Sequence, residues 1–415
     1  MFNRVRELDR PLLGVTVALA LFGLAALYSA GQTDVPTQVT TIWQRQIAFL
    51  VLGAVLAGLV FRASPRLVEW AAPYVYGGAL FLLLLTLVIG TGAGTAAGTK
   101  SWIVLGGPFR LQPAELAKLA VVLMVARWAA DRRSPPATMR ELVTPGVIVL
   151  VPFLLVWAQH DLGSAIVFVA ILFAMLYWVG TRPALLLLLA SPAVGLILAF
   201  STAAWGAWFL LILGLVLWWR IYFWEAVAVV TANLIMGVVA LPFWRSLAPY
   251  QQNRVLAFLN PLVDPRATGW HVIQSRVAIG SGGFLGKGYT LGSQKRLAFL
   301  PAQHTDFIFS VVGEELGFVG VVAALTLFIT LILVLLRIAR RATDQFSSLV
   351  VFGITGMLFT HIVENVGMTV NLLPITGIPL PFFSYGGSFL VTCCAAIGVA
   401  LRVAWESRLS GYTER

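Results

Sequence analysis

Asp306 is the only acid in a stretch that otherwise collects glycines, cations and two histidines. The stretch opens with Trp270-His271-Val272-Ile273-Gln274-Ser275. It continues through Gly280-Ser281-Gly282-Gly283-Phe284-Leu285-Gly286-Lys287-Gly288 and past Lys295 and Arg296. It ends in Leu300-Pro301-Ala302-Gln303-His304-Thr305-Asp306, where polar chain gives way to an apolar run reaching Leu336. A carboxylate can take a proton. Lysines, an arginine and glycine-rich backbone N–H groups can hold negative charge. Thr305 or Asp306 is also suited to capping the helix that must start there. At 3.6 residues per turn Ser310, Gly313 and Gly317 share the Asp306 stripe, a seam of small residues that lets another helix approach. An ionisable group at the edge of an apolar run is costly to place, so Asp306 points to function more than to capping.

Further carboxylates and cations stand at similar boundaries. Gly98-Thr99-Lys100-Ser101-Trp102 precedes Gln112-Pro113-Ala114-Glu115-Leu116-Ala117-Lys118, where Pro113 suits a first helical turn. Glu115 and Lys118, three apart, fall on one helix side and can pair. Trp102 reads either as a substrate contact or as part of an interfacial aromatic belt. Asp161 lies between two apolar runs with almost no loop, where capping competes with a functional reading. The segment Leu373-Pro374-Ile375-Thr376-Gly377-Ile378-Pro379-Leu380-Pro381-Phe382-Phe383-Ser384-Tyr385-Gly386-Gly387-Ser388 cannot continue a helix. Its irregular backbone must be buried against protein or water.

What positions these residues follows from composition. Hydrophobic residues make up 59% of 415 and charged residues 11%, with mean hydropathy +0.90. The fold class is an all-α polytopic membrane protein, one integral membrane domain over 1–415. Apolar runs fall near 11–30, 46–61, 72–90, 114–130, 144–158, 163–180, 183–201, 206–219, 223–244, 307–336, 347–370 and 386–404. About 20 residues span a bilayer, so about twelve crossings result. The runs 183–201 and 206–219 read alternatively as a re-entrant hairpin. Continuous rather than alternating runs exclude a β-barrel.

The net charge of +11 is topological and implies no nucleic acid. Lys and Arg crowd the termini and alternate short loops (Arg62/Arg66, Arg132/Arg133/Arg140, Arg182, Arg220, Arg337/Arg340/Arg341), whereas the other short loops hold Arg45, Lys100 and Arg110. That bias places both termini in the cytoplasm. The segments 91–113, 159–162, a large loop 245–306 and 371–385 then lie outside. Cys393 and Cys394, inside an apolar run, read as small hydrophobes. The N-terminal run carries no convincing cleavage site.

Taken together, the His304-Thr305-Asp306-Phe307-Ile308-Phe309 and Gly280–Gly288 stretches, the Gln112–Glu115 helix entry and the 373–388 segment resemble the SEDS family (shape, elongation, division and sporulation). The resemblance covers nearly the whole chain in order. Ile375-Thr376-Gly377-Ile378-Pro379-Leu380-Pro381-Phe382 follows the pattern of its cell-elongation branch. It implies a peptidoglycan glycosyltransferase of the bacterial cytoplasmic membrane that polymerises lipid II during cell-wall elongation. The implied partners are lipid II and the growing strand, a class B penicillin-binding protein and other membrane proteins of the elongation complex. By resemblance Asp306 is the general base, taking the proton from the GlcNAc 4-hydroxyl, which attacks the MurNAc anomeric carbon and inverts it. Candidate substrate-binding residues are Trp102, Glu115, Lys118, Asp161, Gln274, Ser275, Lys287, Lys295, His304, Thr305, Ser384, Tyr385 and Gly386. Lys118, Lys287, Lys295 and Arg296, with N–H groups of 280–288, are candidates for the departing diphosphate. No cofactor is required by the pattern. A divalent cation, Mg or Mn, would be compatible, but no cluster with ligand spacing identifies a site.

The chain departs from the family pattern in places. The family commonly has ten crossings, so 183–244 would hold an extra hairpin. Ala302 stands where members often carry an acid, Ala114 replaces a serine, and Phe389 replaces the second serine of the Tyr385-Gly386-Gly387 motif. Two other readings compete: a flippase for a lipid-linked precursor, which needs sites open to both faces, and a catalytically silent scaffold.

Overall fold

The computed structural model describes residues 8–34, 39–92, 100–106, 109–260, 268–300 and 302–413. The motif residues Gly98, Thr99 and Pro301 lie outside them. Nine long helices lead the chain: α1 Arg10–Ala30, α2 Ile42–Arg62, α3 Pro65–Ile89, α4 Pro113–Ala130, α5 Val143–Ala158, α6 Leu162–Val179, α7 Pro183–Leu198, α8 Thr202–Trp219 and α9 Phe223–Ser246. Three shorter ones follow, α10 Pro249–Leu259, α11 Thr268–Ser281 and α12 Ser293–Arg296. Three long ones close the fold, α13 Ile308–Arg341, α14 Gln345–Thr369 and α15 Gly387–Thr413. Among the described residues ten helices are long and apolar enough to cross a membrane. The remaining two long helices are α7, which is shorter, and α4, which carries Glu115, Lys118 and Arg127. The apolar runs therefore map onto twelve helices, three of them in 183–246.

The expected long loop 245–306 contains α10, α11 and α12. One strand pair interrupts the all-helical pattern: β1 Ile103–Gly106 runs antiparallel to β2 Phe109–Leu111, with Ile103 opposite Leu111. Leu111 then delivers Gln112 to the start of α4.

α4, α6, α13, α14 and α15 form the interior, through residues such as Val121, Phe168, Phe328, Ile354 and Ala396. Small residues bring these helices close. A Cβ on Gly353 would meet Val122 Cγ1 at 2.7 Å, and one on Gly398 would meet the Ala57 carbonyl oxygen at 2.6 Å. Cys393 and Cys394 are buried, unpaired fillers of the same interior. α7, α8 and α9 bury Leu188, Ile212, Val216 and Val229 among themselves. Asn233 Nδ2 donates to Ser191 Oγ at 2.8 Å across that subsidiary core.

The two chain ends meet. Asp9 caps α1 by accepting from Leu12 N at 3.0 Å, and it pairs with Arg337 at 2.6 Å and Arg408 at 2.7 Å. The opposite end of α1 carries Ser29 and Ala30, which bind the 287–303 region. Lys295 Nζ donates to the Ser29 carbonyl at 2.6 Å and Gln303 Nε2 to that of Ala30 at 2.9 Å. Both termini thus lie at one face of the helix body, and the residues singled out above lie at the other.

Candidate active site

The helix after Asp306 does not begin as expected. Its N-cap is Phe307, with no side-chain capping bond. Neither Thr305 nor Asp306 caps it, because the turn before it closes on its own backbone: Thr305 N and Phe307 N both donate to the Ala302 carbonyl, at 3.1 and 3.3 Å. This leaves the Asp306 carboxylate unengaged by the helix.

Eleven residues after Asp306, α13 breaks at Gly317, whose φ of 60° and ψ of −154° are helical for no residue. Only glycine enters this region without strain. The break frees carbonyls that must be satisfied in a buried setting. The glycine-rich segment does this. Lys287 N donates to Glu314 O and Gly288 N to Glu315 O, both at 3.0 Å. In return Phe318 N donates to Gly283 O at 2.9 Å and Val319 N to Phe284 O at 3.2 Å. The backbone N–H groups of 287 and 288, expected to face a diphosphate, are thus committed to this splice. A Cβ on Gly286 would lie 2.0 Å from Glu315 O, which is why the segment is glycine-rich.

The cations nearby are committed as well. Lys287 pairs with Glu314 at 2.8 Å and also donates to Ser293 Oγ at 2.7 Å. Lys295 is fully buried and bonded to Glu315 and Ser29, and burial pulls its ammonium below the usual lysine range while Glu315 pulls it back. Arg296 pairs with Asp34 at 2.9 Å on the surface. Ser275 is buried, sharing a bond with Ser310 Oγ at 2.7 Å and donating to Thr369 O at 2.6 Å. These residues hold the walls together.

Asp306 itself sits where four segments converge. Asn365 Nδ2, from α14, donates to the Asp306 carbonyl at 3.0 Å and to Ile378 O at 2.9 Å, fixing the turn against 371–386. Ser384 Oγ donates to Thr305 O at 2.6 Å, and Tyr385 N to His304 O at 2.9 Å. Below, Val272, Leu300, Phe307, Val311, Met368 and Ile375 form a small core joining α11, α13 and α14. The carboxylate faces Gly377, where a Cβ would lie 3.4 Å from Oδ2, and it keeps partial contact with solvent. Burial raises its pKa from 3.8 to about 6, against Arg254 and the Thr305 hydroxyl, which lower it; Asp161 adds to the rise. Arg254 Nη1 in turn donates to Thr376 O at 3.3 Å. Burial also lowers His304, whose ring lies 6.1 Å from that of Tyr385.

A second group adjoins this pocket. Asp161 caps α6 through Ser164 N at 3.1 Å and also accepts from Gln112 Nε2 at 2.9 Å. Gln112 N accepts nothing and donates to Ser388 Oγ at 3.2 Å, so three segments are tied together. Glu115 and Lys118 pair at 2.8 Å in full burial. Lys118 Nζ also reaches His361 Nε2 at 2.9 Å, and His361 Nδ1 lies 3.0 Å from Pro379 O. An ammonium only donates, so Nε2 accepts and Nδ1–H donates to Pro379, which fixes a neutral tautomer. Glu364, one turn further along α14, is within electrostatic reach of Lys118 and Asp161 and beside Thr376.

Asp306, His304, Thr305, Ser384, Tyr385 and Asp161 are therefore brought to one place, with Glu115 and Lys118 next to it. Trp102 pairs its backbone with Thr91 (Thr91 N to Trp102 O, 2.8 Å) at the edge of the β1–β2 hairpin. Gln274 is half-buried on α11, and Gly386 O receives Leu390 N at 2.9 Å at the head of α15. Sequence reasoning missed Arg254, His361, Glu364 and the Glu314/Glu315 pair. All but Arg254 are ionisable residues inside apolar runs, the signal used for Asp306. Among the described residues no group of three or more His, Cys, Asp or Glu is arranged to hold a metal ion. An apolar cavity of about 160 Å³ lies between α1 and α13, walled by Phe22, Ala26, Val311 and Leu316 with Glu315 at its edge.

Fold and site together define a multi-pass membrane protein with a carboxylate pocket at one end of its helix body. A family model described as "Cell cycle protein", covering FtsW, RodA and SpoVE, matches residues 10–208 and 201–409. The peptidoglycan glycosyltransferase RodA of Treponema pallidum is 35% identical, over 96% of this chain and 98% of its own. The peptidoglycan glycosyltransferase MrdB of Escherichia coli K12 is 35% identical, over 96% and 93%. A chain from a solved structure described as "Structural coordination of polymerization and crosslinking by a peptidoglycan synthase complex" is 31% identical, over 96% and 98%, with a TM-score of 0.72. Thermus thermophilus RodA is 28% identical, over 96% of both chains, with a TM-score of 0.62. The chain belongs to the FtsW, RodA and SpoVE family, the SEDS family that its motifs resemble.

Proposed function

We propose that this chain is a peptidoglycan glycosyltransferase that polymerises lipid II into β-1,4-linked glycan strands, with Asp306 as general base. Membership in a family whose relatives carry that activity in their names supports the reaction class. The observation that carries the assignment of Asp306 is its state: released from helix capping, held by its backbone, and raised to about 6 by burial. A base is most effective when its pKa lies near the working pH, and such groups typically contribute about 10²–10⁴-fold. Asp306 takes the proton of the GlcNAc 4-hydroxyl. That oxygen forms the new bond to the MurNAc anomeric carbon as the bond to the lipid diphosphate breaks, with inversion. Arg254, within electrostatic reach of Asp306, brings positive charge to the side of the pocket where the diphosphate departs. The apolar cavity between α1 and α13 is suited to part of a hydrocarbon tail.

The distribution of Lys and Arg supports placing the paired termini in the cytoplasm and the Asp306 pocket on the outer face of a bacterial cytoplasmic membrane. A class B penicillin-binding protein as partner is supported by the similar chain from a complex that coordinates polymerization and crosslinking. The flippase reading draws no support from the site, whose polar residues gather at one end of the helices rather than at a midplane open to both faces. The test is a glycan-chain assay on purified wild type and Asp306→Ala, each with its partner. Chains from wild type and none from the equally expressed variant are expected; a fully active variant would sink the assignment.

A further inference from the structure

Glu364 lies inside α14, an apolar helix, with 7% of its surface exposed. Its Oε2 has no hydrogen-bond partner, while the Thr376 hydroxyl stands beside the carboxyl, close enough to act on it as a hydrogen-bond donor. A carboxylate oxygen left buried and unpaired inside an apolar helix is unfavourable and needs an explanation. Both belong to the segments that hold Asp306. Asn365, next after Glu364, donates to the Asp306 carbonyl, and Gly377, next after Thr376, faces its Oδ2. Asp161 is within electrostatic reach of Glu364 and of Asp306 alike.

The charge of this corner selects what can enter it. Around Glu364 stand Asp161 and Lys118, and the lysine is already neutralised by Glu115. Arg254 acts on Asp306 and His271 instead. A diphosphate would meet net negative charge here, whereas a neutral group with O–H or N–H donors would satisfy Oε2 and accept from, or donate to, the threonine hydroxyl.

We infer that Glu364 and Thr376 form a sugar-holding subsite beside Asp306, binding the hydroxyl or acetamido N–H of a neutral N-acetylhexosamine. This rests on the glycosyltransferase reading above. Glu364 is a substrate-binding residue, and the diphosphate lies away from it, on the Arg254 side.

The experiment measures lipid II polymerisation against substrate concentration for wild type, Glu364→Gln, Glu364→Ala and Thr376→Val. Loss of a charge-assisted hydrogen bond predicts that KM rises about tenfold in Glu364→Ala, with kcat within about threefold. Glu364→Gln, which keeps an acceptor oxygen and the packing, should fall between; Thr376→Val should raise KM with no change in thermal midpoint. Unchanged KM in Glu364→Gln and Thr376→Val overturns the inference even if Glu364→Ala fails to fold, as does a loss confined to kcat. Wild type that makes no glycan would instead overturn the glycosyltransferase reading, whereas active wild type with indifferent Glu364 and Thr376 variants overturns this inference alone.

Discussion

Replacing Asp306 by asparagine is expected to abolish polymerisation and, at the same time, to make the protein more stable. The carboxyl is lifted from 3.8 to about 6 by its surroundings. At 1.36 kcal/mol for each pH unit, that difference of about 2 units amounts to about 3 kcal/mol of disfavour for the charged form. Partial solvent contact reduces the expected gain to about 1–2 kcal/mol. The sign follows from linkage. Below about pH 4 the group is protonated folded and unfolded, and its contribution to stability is complete. As pH rises through about 6 that contribution is lost, because the unfolded chain ionises freely and the folded one does so reluctantly. Thermal unfolding in detergent should therefore show Asp306→Asn above wild type by a few degrees at pH 7.5, with the gap closing toward pH 4. A variant no more stable at pH 7.5, or a gap indifferent to pH, would refute the reasoning.

The same carboxyl sets the expected pH dependence of the wild type. kcat/KM should climb about tenfold per unit below pH 6 and level off above it, since the free base must be ionised; a flat profile between pH 5 and 7 would count against Asp306 as the base. Lys295→Met should destabilise by about 3–5 kcal/mol, because Glu315 is left buried without its cation. Lys295→Met combined with Glu315→Leu should recover most of that loss in a thermal melt, and additive losses would show that the two residues act independently.

The membrane class, the helix positions and the pocket residues near Asp306 were legible because hydrophobic runs and isolated acids are local signals. The splice at Gly317 was not. Gly280–Gly288 read as an anion cradle because glycine richness says only that backbone comes close to something; here that something is the Glu314 and Glu315 carbonyls, some thirty residues later. Lys287 and Lys295 read as substrate cations for a similar reason: their partners, Glu314 and Glu315, were hidden in an apolar run taken as uniform. The turn at Ala302, with φ of 47°, likewise replaced the expected side-chain cap with backbone bonds that no residue pattern announces. Glu364 and His361 carried the same signal as Asp306 and could have been found by applying it throughout.

The break at Gly317 has a mechanical corollary. The first portion of α13 is stitched to the 283–288 stretch of chain by four main-chain bonds and buttressed by two ion pairs, so it cannot slide or tilt without taking that stretch along. Asp306, rooted just above this splint, inherits its stiffness, and a reacting hydroxyl would find the carboxylate at a set height above the membrane body, whatever the surrounding lipid is doing.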